Sequence, residues 1–530
     1  MTTTGLRWSA VALCVVLFAT VPACTSDESP SAVSVSGANG SSDGLPDDAL
    51  EVMEQAQYSH SRWMILVTDL ETGDVLVDLD ADKMAEPASV VKTFSVGAAW
   101  LKWGPDHVVT TPVKRSGEVT EGVLTGDLVL VGNGDFTFGG RTRPDGTVDF
   151  TDLDHNDANP LPGATLTTED PLGGLDDLAE QVSMSGIERV NGDVIVDDRL
   201  FQGSLAGEPI SPIVVNQNLI DVLVTPGRVG EPATVEMTPE VGSWQVVSDI
   251  TTGAAGGDVA ISDPEAGTDG IITIEGTIAA DSDPVLKVIA IDDPATFART
   301  AFIEALERVG VSVDADPIAT NPTNALSTRD DVDALPTVAQ FESLPLEEQA
   351  TYVMKISYNR GAQTYVCLLS VAAGADDCSA GLPEVGRLWA EAGLDTTGVS
   401  LVDGSGLEGN LITPRAAVSA QTIMAERPDA DRWRATMPVM GVDGSLATVQ
   451  PDSPAAGNIS AKTGTLVDAD LVNGRLRITA KSLSGVMDSK SGRSLAFTVI
   501  MSQSFADDVD GVFAANDDVG AVAAALQRSL

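Results

Sequence analysis

Histidine is scarce in this sequence. The 530-residue chain contains only three histidines, His60, His107 and His155, and none stands at a spacing typical of metal ligands. A zinc hydrolase, or a hydrolase with a histidine-based triad, therefore has little from which to build its site.

Basic residues are few as well. The chain has 30 Lys and Arg against 78 Asp and Glu, a formal net charge of −48. Nucleic acid is excluded as a partner, because its phosphates need a cationic surface. Hydrophobic content of 43% and charged content of 20% are typical of a globular protein. We interpret the acidic excess as a device for solubility, suited to a salty habitat.

Residues 1–24 are predicted to be an export signal. One arginine precedes an apolar run from Ala10 to Val21, which is too short to span a membrane permanently. The end of this segment resembles a lipobox, in which Cys24 is diacylated and becomes the mature N-terminus. Simple cleavage after Ala23 is the alternative. We expect the protein on the outer face of the cytoplasmic membrane or in the cell wall as a lipoprotein, and otherwise secreted.

Only four cysteines are present, and the predicted export signal accounts for two of them. Cys14 is lost with the signal and Cys24 is the candidate lipid anchor. Cys367 and Cys378 are then the only pair in the folded part. An oxidising compartment favours a disulfide between them over a metal site.

The composition and the predicted secondary structure change along the chain. Residues 24–47 are rich in Ser, Gly and Asp and are predicted to form a flexible tether. Residues 104–292 show many short Val/Ile/Leu strands and Gly-Asp turns, which predict a mostly β insert with one helix near 176–184. Residues 48–103 and 293–530 combine a hairpin, several helices, three strands and a final helix. This pattern predicts an α+β domain, an antiparallel sheet covered by helices.

Three short motifs suggest serine-based chemistry. They are S-x-x-K at Ser89–Lys92, S-Y-N at Ser357–Asn359 and K-T-G at Lys462–Gly464. A serine hydroxyl needs an adjacent base, and residues three apart on a helix share a face. Lys92 is therefore predicted to lie against Ser89, with a pKa lowered by burial and by a nearby cation. A helix start after Pro87 would favour negative charge at Ser89.

The other two motifs supply substrate contacts. Ser357 could relay a proton to a leaving amine, and Asn359 could bind a substrate amide. The third motif lies in a strand, where the absence of a Cβ at Gly464 would let a peptide approach the strand edge. Lys462 and Thr463 would hold a terminal carboxylate. The N–H of Thr465 would join that of Ser89 in an oxyanion hole.

Together the motifs match the serine acyl-transferases that comprise penicillin-binding proteins and serine β-lactamases. More narrowly, the chain resembles the DacB-like D-alanyl-D-alanine carboxypeptidase/endopeptidases, the low-molecular-mass class C penicillin-binding proteins. The resemblance runs from Trp63 to the C-terminus and includes these segments: EPASVVK, GDLVLVGNGD, RVNGDVIVDDRLF, DGSGL, MGVDGSL and AKTGTL. That family also has a large insert between its first and second motifs.

The resemblance implies a serine β-lactamase/transpeptidase-like fold and a D-Ala-D-Ala carboxypeptidase with possible D,D-endopeptidase activity. It implies Ser89 as the acylated nucleophile, Lys92 as general base, and Ser357 and Lys462 in proton relay. Substrate binding falls to the following residues: Asn359, Thr463, Gly464 and Thr465. The implied partners are peptidoglycan stem peptides and β-lactam antibiotics as covalent inhibitors, without a metal or cofactor.

Two departures and two alternatives qualify this interpretation. Tyr358 replaces an Asp found in several relatives, which we expect to affect specificity more than activity. The insert lacks a Gly-Pro-Gly-Trp-rich stretch that some relatives use to recognise diaminopimelate, so carboxypeptidase activity is expected to exceed endopeptidase activity. The alternatives are a β-lactamase, which usually needs a second base to activate water, and a non-catalytic wall-binding lipoprotein.

Overall fold

The computed structural model describes residues 44–267 and 270–530. The predicted export signal, the lipid anchor Cys24 and most of the predicted tether lie outside these residues. The first helix begins at Asp47, so the last residue of the predicted tether is already helical. No helix within the described residues is long and apolar enough to cross a membrane.

A five-stranded antiparallel sheet forms the centre of the molecule, with the strand order β2–β1–β5–β4–β3. Its strands are β1 (Arg62–Asp69), β2 (Val75–Leu79), β3 (Ile459–Asp470), β4 (Arg475–Asp488) and β5 (Ser494–Ala506). The first hairpin and the three C-terminal strands of the chain thus meet in one sheet. β3 lies at its edge, with one side unpaired by another strand of the sheet.

Eleven α-helices are found in the described residues. They are α1 (Asp47–Met53), α2 (Lys92–Trp103), α3 (Gly173–Met184), α4 (Pro294–Arg308), α5 (Arg329–Asp333), α6 (Leu346–Lys355), α7 (Asn359–Ala372), α8 (Gly381–Glu391), α9 (Pro414–Ala425), α10 (Ala430–Ala435) and α11 (Val509–Ser529).

Alternating side chains of β1 explain why helices cover both faces of the sheet. Trp63, Ile65 and Val67 pack with α11 in one apolar cluster. Met64 and Leu66 point to the other face, where α2, α6, α7 and α9 pack. Successive side chains of a strand point to opposite faces, so a run of apolar residues predicts a strand buried on both sides.

The insert is built from several small sheets on one large apolar core that also includes α3 and α4. Outside the central sheet, the strands are Thr110–Arg115, Glu118–Thr120, Val123–Thr125, Leu128–Val131, Arg189–Asn191, Val194–Asp197, Ser204–Leu205, Glu208–Pro209, Leu219–Thr225, Thr234–Thr238, Gln245–Gly253, Ala260–Ile261, Glu265–Ala266, Ile271–Ala279, Val285–Ala290, Ser312–Val313, Thr337–Glu342, Val399–Ser400 and Leu411–Ile412.

The core of the insert continues past the predicted end at residue 292. Helix α4 packs against α3, Ser312–Val313 pairs with Arg189–Asn191, and Thr337–Glu342 pairs with Thr110–Arg115. These partners lie far away in the sequence. The change from strand-like to helix-like sequence after residue 292 therefore does not mark the end of the insert's core.

Two boundaries bear on the second and third motifs. Residues 346–372 form two helices, α6 and α7, separated by residues 356–358. Strands β3 and β4 form a hairpin that extends to residues 470 and 475. The break after α6 places the second motif at the start of a helix.

Candidate active site

Ser89 lies in a tight turn that leads into α2. Residues Ala88–Val91 form a 3₁₀ turn, and α2 begins at Lys92, so the start of the helix is tighter than expected. Ala88 has φ +47°, a left-handed conformation that residues with a Cβ rarely adopt. The backbone is therefore strained immediately before the half-buried Ser89.

Lys92 is fully buried, and its amine has three neighbours. Nζ lies 2.8 Å from Ser89 Oγ, 2.6 Å from Asn359 Oδ1 and 2.8 Å from the main-chain oxygen of Ser405. Burial lowers the pKa of Lys92 to about 7, against the opposing charges of Asp403 and Asp157. At neutral pH a large fraction of the amine is therefore uncharged and able to accept a proton.

The second motif occupies the break between α6 and α7. Ser357 has φ +61°, and Asn359 is the first residue of α7, so both side chains are presented beside Lys92 and Lys462. Tyr358 turns the other way: it is 3% exposed and packs against Tyr352 and the ring of Phe136. Tyr358 therefore fills the core, so an effect of this side chain on substrate specificity would be indirect, through the packing around Ser357 and Asn359.

Lys462 is fully buried on β3. Its Nζ donates to Ser357 Oγ at 3.0 Å and to the main-chain oxygen of Thr463 at 2.9 Å. Thr463 Oγ1 also lies 2.6 Å from Ser445 Oγ, a residue of the MGVDGSL segment. Burial first, and then the charge of Lys92, hold the pKa of Lys462 well below its usual range.

Gly464 brings the edge strand against the turn that carries Ser89. A Cβ at this position would lie 2.2 Å from Ser482 Oγ and 2.4 Å from the main-chain oxygen of Pro87. Ser482 Oγ donates to that same oxygen at 2.5 Å. The glycine is thus required by contacts inside the protein, whereas the sequence had suggested room for a substrate.

Sequence reasoning missed a second support of the Ser89 turn, the DGSGL loop. Asp403 Oδ1 accepts hydrogen bonds from the main-chain N–H groups of Ser405 and Gly406, which fixes the loop. Gly406 has φ +100°, and a Cβ there would lie 1.9 Å from the Ala88 oxygen. The sequence of this segment carries only the family resemblance, because nothing local indicates that a main-chain oxygen contacts Lys92.

Asp157 is the other residue that the sequence did not reveal. It lies on the insert in the short turn His155–Asp157, and its charge acts on both Lys92 and Lys462. Burial raises the pKa of Asp157 to about 6 against the opposing charge of Lys92. The insert therefore contributes a carboxyl group close to the two lysines.

A disulfide joins Cys367 on α7 to Cys378, 11 residues further along the chain. Gly203 packs so closely on this bridge that an added Cβ would lie 2.6 Å from Cys378 Sγ. The bridge thus lies between the helix of the second motif and the insert. Within 44–267 and 270–530, no group of three or more His, Cys, Asp or Glu could hold a metal ion.

A solved structure shares the fold of this chain. Penicillin binding protein 4 (dacB) from Haemophilus influenzae superposes with a TM-score of 0.67 at 18% identity, over 91% of this chain and 99% of that chain. This likeness confirms the predicted α+β, serine β-lactamase/transpeptidase-like fold.

Sequence comparisons identify the family. A family model described as D-Ala-D-Ala carboxypeptidase 3 (S13) matches residues 48–517. A D-alanyl-D-alanine carboxypeptidase from Actinomadura sp. (strain R39) is 31% identical over 84% of this chain and 80% of that protein. The carboxypeptidase DacB of Mycolicibacterium smegmatis is 25% identical over 82% and 75%. This chain therefore belongs to the D-Ala-D-Ala carboxypeptidase 3 (S13) family of peptidases, as the resemblance in its motifs predicts.

Proposed function

We propose that the protein is a serine-type D-Ala-D-Ala carboxypeptidase that acts on peptidoglycan stem peptides through an acyl-enzyme on Ser89. Family membership supports the reaction class. The serine mechanism rests on the arrangement of Ser89, Lys92 and their neighbours.

One observation carries this proposal, the set of atoms around Lys92 Nζ. Asn359 Oδ1 and the Ser405 oxygen only accept hydrogen bonds, so they take the two protons of a neutral amine. The lone pair of that amine is left for the third neighbour, Ser89 Oγ. A neutral Lys92 is therefore oriented to remove the hydroxyl proton, which is what a general base must do.

The reaction follows from this orientation. Ser89 Oγ attacks the carbonyl carbon of the penultimate D-Ala while its proton passes to Lys92, and the N–H groups of Ser89 and Thr465 stabilise the oxyanion. The C–N bond then breaks, and the amine of the terminal D-Ala takes a proton through Ser357 and Lys462. Water hydrolyses the ester, which releases the shortened peptide and restores the Ser89 hydroxyl.

The third motif is proposed to hold the terminal carboxylate of the substrate. Thr463 Oγ1 lies 3.4 Å from Lys462 Nζ, and Thr465 follows two residues later on the same face of β3. A cross-linked peptide also presents a carboxylate after the bond to be cut, so weaker D,D-endopeptidase activity is part of the proposal. Acylation by β-lactams is proposed too, supported by a β-lactam complex of the Haemophilus influenzae relative.

We propose an extracytoplasmic location for this activity. The export signal and the lipobox-like end at Cys24 support attachment to the outer face of the cytoplasmic membrane, and cleavage after Ala23 would release the enzyme instead. Fractionation of producing cells, with mass spectrometry of the mature N-terminus, decides between the two. Mature protein found wholly in the medium without lipid would contradict the anchor.

Intact mass after incubation with benzylpenicillin tests the nucleophile. We expect one stable adduct, mapped to Ser89, and none on the variant Ser89→Ala. The exposed Ser59→Ala is the matched control and should label like the wild type. An adduct on Ser357 or Ser405 would contradict the assignment.

The same measurement separates the alternatives. Rapid loss of the antibiotic without a lasting adduct would indicate a β-lactamase. No reaction with benzylpenicillin, and no release of D-Ala from a pentapeptide, would indicate a non-catalytic wall-binding protein.

A further inference from the structure

A third buried lysine lies beside the proposed carboxylate site. Lys481 is on β4 directly opposite Thr465 on the edge strand β3, and it is 4% exposed. Its Nζ donates to Thr465 Oγ1 at 2.8 Å. No ion pair to a carboxylate is formed by Lys481 within the described part of the chain.

The absence of an ion pair is unusual in a chain of this charge. The sequence holds nine lysines and a net charge of −48, so carboxylates are plentiful. Lys102, Lys287 and Lys355 each pair with one. The buried lysines without such a pair in the described residues are Lys92, Lys462 and Lys481, and all three contact residues of the motifs.

A buried charge without a counter-ion is unfavourable unless something else balances it. Lys92 and Lys462 have roles in the proposed proton transfers. Lys481 has none, because its amine contacts only the Thr465 hydroxyl, which takes no part in those proton transfers. No carboxylate of the described residues stabilises the ammonium form of Lys481, so an anion from outside the protein would do so, and the exposed side of Thr465 at the strand edge is where it would arrive.

The hydrogen bond from Lys481 also fixes the direction of the Thr465 hydroxyl. An ammonium group can only donate, so Thr465 Oγ1 accepts from it and keeps its own proton for another acceptor. A hydroxyl that accepts from a cation is a stronger donor, because bonds in a chain polarise one another.

We propose that Lys481 is a positioning residue for substrate recognition: through Thr465 it directs a hydroxyl proton at the terminal carboxylate of the substrate and places a positive charge behind it. This inference rests on the proposed function, since it assigns a further residue to the same site. Burial lowers the pKa of Lys481 to about 7, and a bound carboxylate would favour its protonated form.

The test compares Lys481→Met with the wild type on two forms of one probe, an N-acylated D-Ala-D-Ala dipeptide with a free C-terminus and its C-terminal carboxamide. Met keeps most of the volume and removes both the charge and the donor. We expect KM for the free acid to rise about tenfold with kcat nearly unchanged, and the carboxamide to be unaffected. Lys287→Met, which removes a lysine paired with exposed Asp263 on the insert, is the control.

Stability distinguishes positioning from a structural role. Removal of an unpaired buried charge should leave the melting temperature of Lys481→Met equal to or above that of the wild type. An unchanged KM, or an equal loss on both probes together with a lowered melting temperature, would overturn the inference.

Failure of the proposed function would look different. If the wild type released no D-Ala, that function would be contradicted. The rates of acylation by benzylpenicillin, which has a free carboxylate, and by its methyl ester, which has none, would still decide the role of Lys481. A preference for the free acid that disappears in Lys481→Met would support the inference. A preference that persists would contradict it.

Discussion

The chemistry of the site depends on the protonation state of one side chain. In the proposed mechanism Lys92 acts as a base only when it is uncharged, so burial favours that role by lowering its pKa to about 7. The charges of Asp403 and Asp157 oppose that effect by favouring the ammonium form. Acylation by benzylpenicillin should therefore speed up as the pH rises through about 7 and fall about tenfold per pH unit well below it.

Replacement of Asp157 by Asn should move this pH profile. Loss of its negative charge removes an interaction that stabilises the ammonium form of Lys92, so the pKa of Lys92 falls. We expect the acid limb of the acylation rate to shift to lower pH, with a rate up to a few-fold faster between pH 6 and 7 relative to the plateau. At pH 5 the variant and the wild type should agree, because burial raises the pKa of Asp157 to about 6 and its carboxyl is then largely neutral. Stopped-flow acylation from pH 4.5 to 9 measures the profile.

The control for that variant is Asp258→Asn, an equal change of charge at an exposed position of the insert. It should leave the acid limb in place. A shift of Asp157→Asn to higher pH, or identical profiles for both variants and the wild type, would contradict an electrostatic role for Asp157.

At the scale of elements, the site depends on the approach of β3 to the turn before α2. Gly464 permits that approach, since an added Cβ would meet the Pro87 oxygen and Ser482. We expect Gly464→Ala to push the strand away from Ser89 and to slow acylation at least about a hundredfold. Gly386→Ala on α8, where a Cβ meets nothing within 4 Å, is the matched control and should keep the wild-type rate. A wild-type rate for Gly464→Ala would show that the contact does not position Ser89.

The disulfide ties α7 to the short turn Cys378–Ala380 and should contribute to stability. A bridge between Cys367 and Cys378, 11 residues apart, restricts the unfolded chain and stabilises the fold by about 2–3 kcal/mol. Replacement of both cysteines by Ala should lower the free energy of unfolding by that amount, as measured by urea denaturation. Two thiols that react at once in the native wild type would contradict the bridge in solution.

Sequence patterns predicted the parts of this fold that depend on neighbouring residues. The hairpin Arg62–Leu79, the three C-terminal strands and the final helix follow from apolar periodicity and turn residues. The left-handed backbone of Ser357 between α6 and α7 was not predictable, because it is held by contacts with distant elements. The same holds for the end of the insert's core, where strands pair across more than a hundred residues.

The residues of the candidate site were likewise predictable only in part from the sequence. The three motifs predicted which hydroxyl groups, amines and amide the structure brings together. This was possible because the spacing of residues within a motif reflects local helix or strand geometry. Asp157, Lys481 and the Ser405 oxygen escaped notice because no motif contains them in a functional position. Tertiary structure brings each of them to the site: Asp157 comes from the insert, Lys481 comes from the strand next to β3, and the Ser405 oxygen is a main-chain atom.

At the scale of the whole molecule, the insert and the catalytic elements form one continuous structure. Phe136 of the insert packs against Tyr358 and Tyr365, and Arg141 lies over the ring of Tyr352. The main-chain N–H of Gly444 donates to Asp152 of the insert. The insert therefore borders the site directly, and its shape bears on which peptides can enter.

The segment of the insert after Phe201 bears most directly on substrate choice. The first part of the segment 201–215 lies on α7: Phe201, Leu205 and Ile210 pack around the disulfide, and the Pro209 oxygen accepts from Arg360. Glu208 is the only charged side chain among them. A long side chain that ends in both an amine and a carboxylate, as diaminopimelate does, needs two oppositely charged partners, and this segment offers one acid at most.

We therefore expect faster release of D-Ala from pentapeptides than of monomers from cross-linked muropeptides. The terminal carboxylate is common to both substrates and binds at the same place, so the difference has to arise beyond it, where only the cross-linked peptide needs further partners. Purified enzyme given equal concentrations of both substrates, with products followed by chromatography, measures the two rates. The variant Glu208→Gln serves as the control: because the segment is expected to contribute little binding, both rates should change less than about twofold. Faster release of monomers by the wild type would show that the insert recognises the cross-link by other residues, and Ser89 would remain the proposed nucleophile.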